Sequence, residues 1–147
     1  KKSKYRPKSF VLLRLLSASG AKVASKLGFD FTDFTVVPIP ISKSREKDRG
    51  FNQAEIIAKA VSKEFGLSLN TSCLTRIRDT NKQFGLHKGE RAENITGAFA
   101  VKGDVAGGKF LLVDDICTTG STLISASSAL FSAGAKDVRC FALSRKI

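Results

Sequence analysis

An α/β domain with a mostly parallel central sheet flanked by helices is predicted by three features of the sequence. Short apolar, partly β-branched runs alternate with longer stretches of helical spacing, and the chain closes on a strand, turn, helix and strand between Phe110 and Leu143. At 147 residues, 42% apolar and 26% charged, the chain suits one folded domain with a real core.

Each element follows from its own pattern. Leu12, Leu16, Val23 and Leu27 recur at helical spacing between Ser9 and Leu27, and Gly28 is a plausible stop, so a first helix is expected there. "FTVVPIPI" (34–41) reads as a buried strand whose prolines sit at its trailing end. The polar, charged run "SKSREKDRG" (42–50) is expected to be a loop. A helix follows, with Ala54, Ile57, Val61 and Phe65 on one face, Gly66 at its end, and Asn52 with Glu55 resembling a capping box.

"CLTRI" (73–77) and "AFAV" (98–101) are short strands separated by a polar stretch, 78–97, expected as a loop with a helical turn. Phe110 to Val113 forms the next strand, and a helix starts near Ser121 with Leu123, Ala126, Leu130 and Phe131 on one side before Gly134. "VRCFAL" (138–143) is the last strand. The division expected is a single domain in which a helical hood, residues 1–33, precedes a core of residues 34–147.

Composition narrows the function classes. The longest apolar stretch, Phe10 to Leu16, is broken by Arg14 and falls far short of the roughly 20 residues a membrane helix needs. Cys73, Cys117 and Cys140 are widely separated and form no CxxC pair, which suggests neither a disulfide framework nor a zinc site and fits the reducing cytoplasm. His87 is the sole histidine and has no partner cysteines, so it reads as a surface residue. The chain opens on Lys1 and contains no methionine, so its true N-terminus is expected to lie upstream. The net charge of +12 attracts polyanions, and eight basic residues precede the first acid, Asp30.

The chemistry concentrates in "FLLVDDICTTGST" (110–122), where a strand delivers Asp114 and Asp115 to a turn rich in hydroxyls. A turn that opens a helix presents free backbone N–H groups to an anion. Gly120 permits close backbone approach, while Thr118, Thr119, Ser121 and Thr122 add hydroxyl donors. Carboxylates beside a phosphate cradle make sense if the ligand also carries hydroxyls or a bound cation, as a phosphorylated sugar does. A nucleotide P-loop at "GDVAGGKF" (103–110) is rejected: Phe110 stands where a Mg²⁺-binding Ser or Thr is needed, and the glycines precede a strand.

"FLLVDDICTTGSTL" closely resembles the signature of type I phosphoribosyltransferases. "VPIPISKSREKDRGFNQAEIIAKAV" and the run from Gln83 to Phe99 resemble the ComF-like branch of competence proteins, and together these stretches cover nearly all of residues 36–145. The resemblance implies the type I phosphoribosyltransferase fold and a Mg²⁺-dependent, cytoplasmic protein that binds 5-phosphoribosyl 1-pyrophosphate. It assigns the ribose hydroxyls to Asp114 and Asp115, and the 5-phosphate to Thr118, Thr119, Gly120, Ser121 and Thr122. Pyrophosphate would meet Ser42, Lys43, Arg49 and Gly50, with Arg91 a further cation, and Arg49, Arg91 and the two acids carrying catalysis. Mg²⁺ would ride on the substrate's oxygens without direct protein ligands.

Two departures bear on the acceptor and the ends of the chain. Thr118 stands where purine-salvage relatives keep an acid that assists the base, which argues against hypoxanthine or guanine as acceptor. ComF-like proteins commonly begin with a cysteine-rich zinc-binding segment, which these residues lack. The competing reading is a nucleic-acid-binding protein of DNA uptake, engaging single-stranded DNA or a competence helicase, with a regulatory or vestigial sugar-phosphate pocket. A homodimer is a further expectation.

Overall fold

The computed structural model describes residues 7–78 and 97–145, with side-chain environments from Phe10 onward. In chain order the elements are α1 (Pro7–Lys26), β1 (Phe34–Pro38), α2 (Lys43–Arg49), α3 (Gln53–Phe65), β2 (Ser68–Leu69), β3 (Leu74–Arg76), β4 (Phe99–Val101), β5 (Lys109–Cys117), α4 (Ser121–Ser132) and β6 (Asp137–Arg145). The main sheet runs β2-β1-β5-β6 with every pair parallel, and β3 and β4 form a separate antiparallel ribbon. This is the α/β architecture with a parallel central sheet that the sequence predicts.

Alternation along β1 and β5 sends side chains to opposite faces, and both faces are covered. On one, Val36, Leu111 and Val113 pack with Ala21 of α1 and with Ile57, Ala58 and Val61 of α3. On the other, Val37 and Leu112 pack with Leu123, Ala126 and Leu130 of α4 and with Leu74 and Phe99 of the ribbon. Leu111, Leu112 and Val113 have no exposed surface, so each contributes about 2 kcal/mol of burial and the three anchor β5 at the centre of the sheet. Cys73 is buried in the same core, where burial pushes its thiol up, as befits a small apolar residue.

Four expectations change. Residues 42–50 are not a loop: Lys43–Arg49 is a short helix, α2. Ser42 caps its start by accepting from the Arg45 N–H, and Gly50, at φ 83°, ends it in the left-handed conformation. None of its residues is buried, so there is no apolar periodicity to reveal it. β5 does not stop at Val113 but continues to Cys117, because β6 runs beside it and pairs Asp114 with Ala142 and Cys117 with Arg145. The two-residue strand β2 is too short to leave a pattern in the sequence.

The fourth change concerns which faces of the helices are buried. Leu12, Leu16, Val23 and Leu27 of α1 and its following turn are all more than half exposed, while Ser17, Ala21 and Ala24 are buried. The buried positions, with Gly20, recur at three- and four-residue steps, so α1 packs through small residues that permit close approach. A Cβ on Gly20 would lie 2.6 Å from Leu143 Cδ1 of β6. Phe131 of α4, expected on the core side with Leu123, Ala126 and Leu130, is half exposed.

Candidate functional site

β1 and β5 are neighbouring parallel strands, so the segments leaving their carboxyl ends lie side by side, at the crevice where open α/β sheets bind ligands. The Ile39 N–H donates to Val113 O at 2.8 Å, which joins the end of β1 to the residue preceding Asp114. Asn52 ties the next segment to the same place: its Nδ2 donates to Ile39 O at 3.0 Å, and its Oδ1 accepts from the Ala54 N–H at 3.0 Å, capping α3. That double use ties the start of α3 to the residue after β1.

Asp114 and Asp115 are both partly buried on the last part of β5. The Asp114 carboxylate accepts from the Asp115 N–H at 2.9 Å, and the Asp115 carboxylate accepts from the Ile116 N–H at 2.8 Å. Burial raises the Asp114 pKa to about 7, assisted by the charge of Asp115 and opposed by the Asp115 N–H and by the Arg76 guanidinium. One carboxyl of the pair therefore titrates near neutrality.

Beyond them the chain turns into α4. Thr118 and Thr119 are exposed, and Gly120, Ser121 and Thr122 are half-buried. Gly120 has φ 78° and ψ −6°, a left-handed conformation that costs an L-residue about 1–2 kcal/mol. Thr119 Oγ1 and Ser121 Oγ are 2.7 Å apart, so two hydroxyls are held together at the helix start. The cap position of α4 is Gly120, which has no side chain, in contrast to Ser42 of α2 and Asn52 of α3, and the Ser121 N–H donates to Thr119 Oγ1 at 3.4 Å. The first turn of α4 therefore offers backbone donors, the positive end of the helix and paired hydroxyls to an anion. Cys117 packs against the core cluster beneath α4, which accounts for it as a packing residue.

The phosphoribosyl transferase domain family matches residues 48–147. The chain belongs to this family. Over 136 residues it is 30% identical to the DNA utilization protein YhgH of Salmonella typhimurium, covering 92% of this chain and 60% of that protein. Over 143 residues it is 33% identical to the competence protein ComFC of Streptococcus pneumoniae, covering 97% of this chain and 61% of that one. The domain thus spans about three fifths of the length of these relatives. Its fold resembles the purine phosphoribosyltransferase of Pyrococcus horikoshii, with a TM-score of 0.56 at 14% identity over 89% of this chain and 74% of that one.

Within this phosphoribosyl transferase domain the two halves of the expected site sit on adjacent strands. Asp114 and Asp115 lie in the last part of β5 and Thr118 to Thr122 follow it, while Ser42, Lys43, Arg49 and Gly50 follow β1. Ser42 is buried and its hydroxyl serves as the cap of α2, within 3.0 Å of Ser44 Oγ. Lys43 and Gly50 are exposed at the two ends of that helix. Arg49 is half-buried, and its guanidinium donates to Gln53 Oε1 across the junction of α2 and α3. Arg91 and His87 lie outside the described residues.

Two contributors escape a reading of the sequence. Arg76 of β3 acts electrostatically on Asp114 while its guanidinium lies 5.5 Å from the Phe99 ring centre. Nothing local marks it, since its partner is distant along the chain. Asn52 is readable as a cap, but its bond to Ile39 O, which fixes the loop to the sheet, is not.

Proposed function

We propose that this domain binds 5-phosphoribosyl 1-pyrophosphate with Mg²⁺ and transfers the phosphoribosyl group to an acceptor, releasing pyrophosphate. The carrying observation is the start of α4 at Gly120, a cap position without a side chain, one short hydroxyl-rich turn beyond a carboxylate pair. The 5-phosphate would accept from the first N–H groups of α4 and from the hydroxyls of Thr118, Thr119, Ser121 and Thr122. Asp114 and Asp115 would accept from the ribose hydroxyls, and such charge-assisted bonds are about twice as strong as neutral ones.

In the reaction, the acceptor's electron pair forms a bond to the anomeric carbon as the bond from that carbon to pyrophosphate breaks, and its electrons leave with pyrophosphate. Arg49 and Lys43, at the two ends of the neighbouring helix α2, would meet the charge that develops there, with Arg91 a further cation. Preorganised cations of this kind lower barriers by several kcal/mol. Adjacent carboxylates suit a hard, oxygen-seeking cation carried on the ligand, and Mg²⁺ would supply charge neutralisation of the pyrophosphate oxygens.

Calorimetry with 5-phosphoribosyl 1-pyrophosphate and MgCl₂ tests the binding, and pyrophosphate release across an acceptor panel tests turnover. Saturable binding that the Asp114→Asn/Asp115→Asn variant loses supports the proposal. Equal heats from the two folded proteins refute it.

A second reading is supported by the net charge of +12 and by relatives named for DNA utilization and competence: the domain also engages single-stranded DNA or the machinery that takes it up. Phosphate contacts would make that binding fall steeply with salt. Failure to retard single-stranded DNA at low salt removes direct DNA contact.

A further inference from the structure

A helix is about 10 Å across and neighbouring strands are about 4.8 Å apart, so one helix covers roughly two strands of the sheet beneath it. α3 covers β1 and β5. α1 packs beside α3 on the same face, with Gly20 against Leu143 of β6. It therefore covers β6 and the space beyond, where among the described residues no strand is paired.

Four exposed apolar side chains of α1 and its following turn lie toward that space. Successive helical residues are about 100° apart, which fixes the direction of each side chain. Phe10 faces the junction of α2 and α3, its ring 5.4 Å from that of Phe51, and Gly20 faces β6. Continuing round the helix from Phe10 through Gly20 reaches Leu27, Leu16, Val23 and Leu12, which are 69%, 51%, 58% and 57% exposed. The other face repeats the arrangement. Ser127 of α4 lies 3.7 Å from Cys140 Sγ of β6, and the next positions round, away from the buried side, are Phe131 and Ile124, 50% and 65% exposed.

β6 is thus a nine-residue edge strand whose open side is overhung by apolar side chains on both faces. Proteins usually blunt such an edge with proline, bulges or a cover. β6 contains no proline, and its pairing with β5 holds one register from Lys109↔Asp137 to Cys117↔Arg145 without a bulge.

We propose that this slot accepts an extended peptide segment from a protein partner, which pairs with β6 as a further strand, apolar on both faces and flanked by acids. Its apolar side chains would meet the α1 stripe on one face and Ile124 and Phe131 on the other, as for any strand covered on both sides. The acidic flanks follow from charge. α1 contains no acid, Lys22 and Lys26 are exposed on it, α4 has no charged residue, and Arg145 is exposed at the end of β6. The one acid of β6, Asp137, is paired with Arg139 at 3.4 Å. A second copy fits poorly, because two overhanging α1 helices would contend for one space across a β6-to-β6 seam and each chain carries +12. The slot adjoins the start of α4, where a Cβ on Gly120 would lie 3.9 Å from Ile124 Cδ1, but peptide binding is read without a sugar-phosphate ligand, so it stands or falls independently of the proposed function.

The test uses the whole chain and a fluorescein-labelled peptide, Asp-Glu-Val-Thr-Val-Ile-Val-Asp-Glu, followed by anisotropy and by hydrogen exchange. Saturable binding is expected, about tenfold weaker for the same peptide flanked by lysines and about tenfold weaker for either Leu16→Gln/Val23→Gln or Ile124→Gln/Phe131→Gln. Amide exchange in β6 slows on binding. Should the α1 variant fail to fold, the α4 variant decides alone. The proposal is overturned by absence of binding to the folded protein, or by binding that both variants retain. It is also overturned by a dimer in light scattering that the α4 variant dissolves, or by uptake onto phosphatidylglycerol vesicles with unchanged β6 exchange.

Discussion

Two helices leave the carboxyl ends of adjacent parallel strands, and they begin differently. After β1, the Ser42 hydroxyl accepts from the Arg45 N–H, Gly50 closes the far end on Glu46 O, and Arg49 is bonded to Gln53, so α2 satisfies itself. After β5, α4 begins at Gly120, which has no side chain, and among the described residues only Thr119 Oγ1, 2.7 Å from Ser121 Oγ, reaches a first-turn N–H, that of Ser121 at 3.4 Å. A capped start is complete without a ligand. One whose cap position has no side chain, close to two partly buried carboxylates, is complementary to something that carries both an anion and hydroxyls. The contrast separates the segment proposed to present cations from the one proposed to receive phosphate.

The largest expected effect lies on the receiving side. Asp114→Asn with Asp115→Asn removes both ribose acceptors, and at about 1.5–3 kcal/mol per charge-assisted bond calorimetry should register a loss of at least about a hundredfold in affinity. The same variant should melt no lower than the parent at pH 8, because it deletes a carboxylate that burial disfavours. On the presenting side, Arg49→Gln should slow pyrophosphate release by about a hundredfold with a smaller loss of binding. A lowered melting temperature with an unchanged rate would make Arg49 a staple between α2 and α3 and erase the contrast.

The pH dependence is next in size. Asp114 has its pKa raised from 3.8 to about 7, so the folded protein holds a proton there that the unfolded chain has released. This contribution to stability is full below the unfolded value and is lost as pH rises from about 4 through about 7. Ligand affinity moves the other way, since the ionised carboxylate is the acceptor, and should rise by about tenfold between pH 6 and pH 8. Both trends should flatten in Asp114→Asn, as followed by denaturant melts and by calorimetry with Mg²⁺ and the ligand.

Smaller changes sharpen the comparison. Ser42→Ala should cost about 1 kcal/mol of stability by loss of the α2 cap, with affinity altered by less than about threefold. A larger loss of affinity would show that the buried hydroxyl also reaches the ligand. The smallest effect is expected at the opposite end of the sheet, where Asp33 approaches Lys109 at 3.9 Å with its side chain 78% exposed. Asp33→Asn should change stability by less than about 0.5 kcal/mol in chemical denaturation and leave binding intact, since Asn tolerates the positive φ found there.

How much of this was legible depended on whether the cause was local. The alternation of strands and helices, the carboxylate pair at Asp114 and Asp115, the turn at Gly120 and the cap at Asn52 are written in neighbouring residues, and the sequence by itself determined them. α2 escaped because a short charged helix with no buried residue has no apolar face, and only its caps betray it. α1 was recognised as a helix but turned the wrong way. Hydrophobicity pointed to Leu12, Leu16, Val23 and Leu27, while close approach to α3 and β6 selected Ser17, Gly20, Ala21 and Ala24.

The tertiary structure alone decided the rest. It placed Arg76 within electrostatic reach of Asp114, set β6 beside the acid-bearing end of β5, and gave Asp114 a pKa near neutrality. Among the described residues it also left β6 paired on one side only. These properties arise from groups far apart in the chain meeting in a medium of low polarity. Burial and proximity of that kind belong to the assembled fold, whereas propensity, capping and alternation belong to each segment separately.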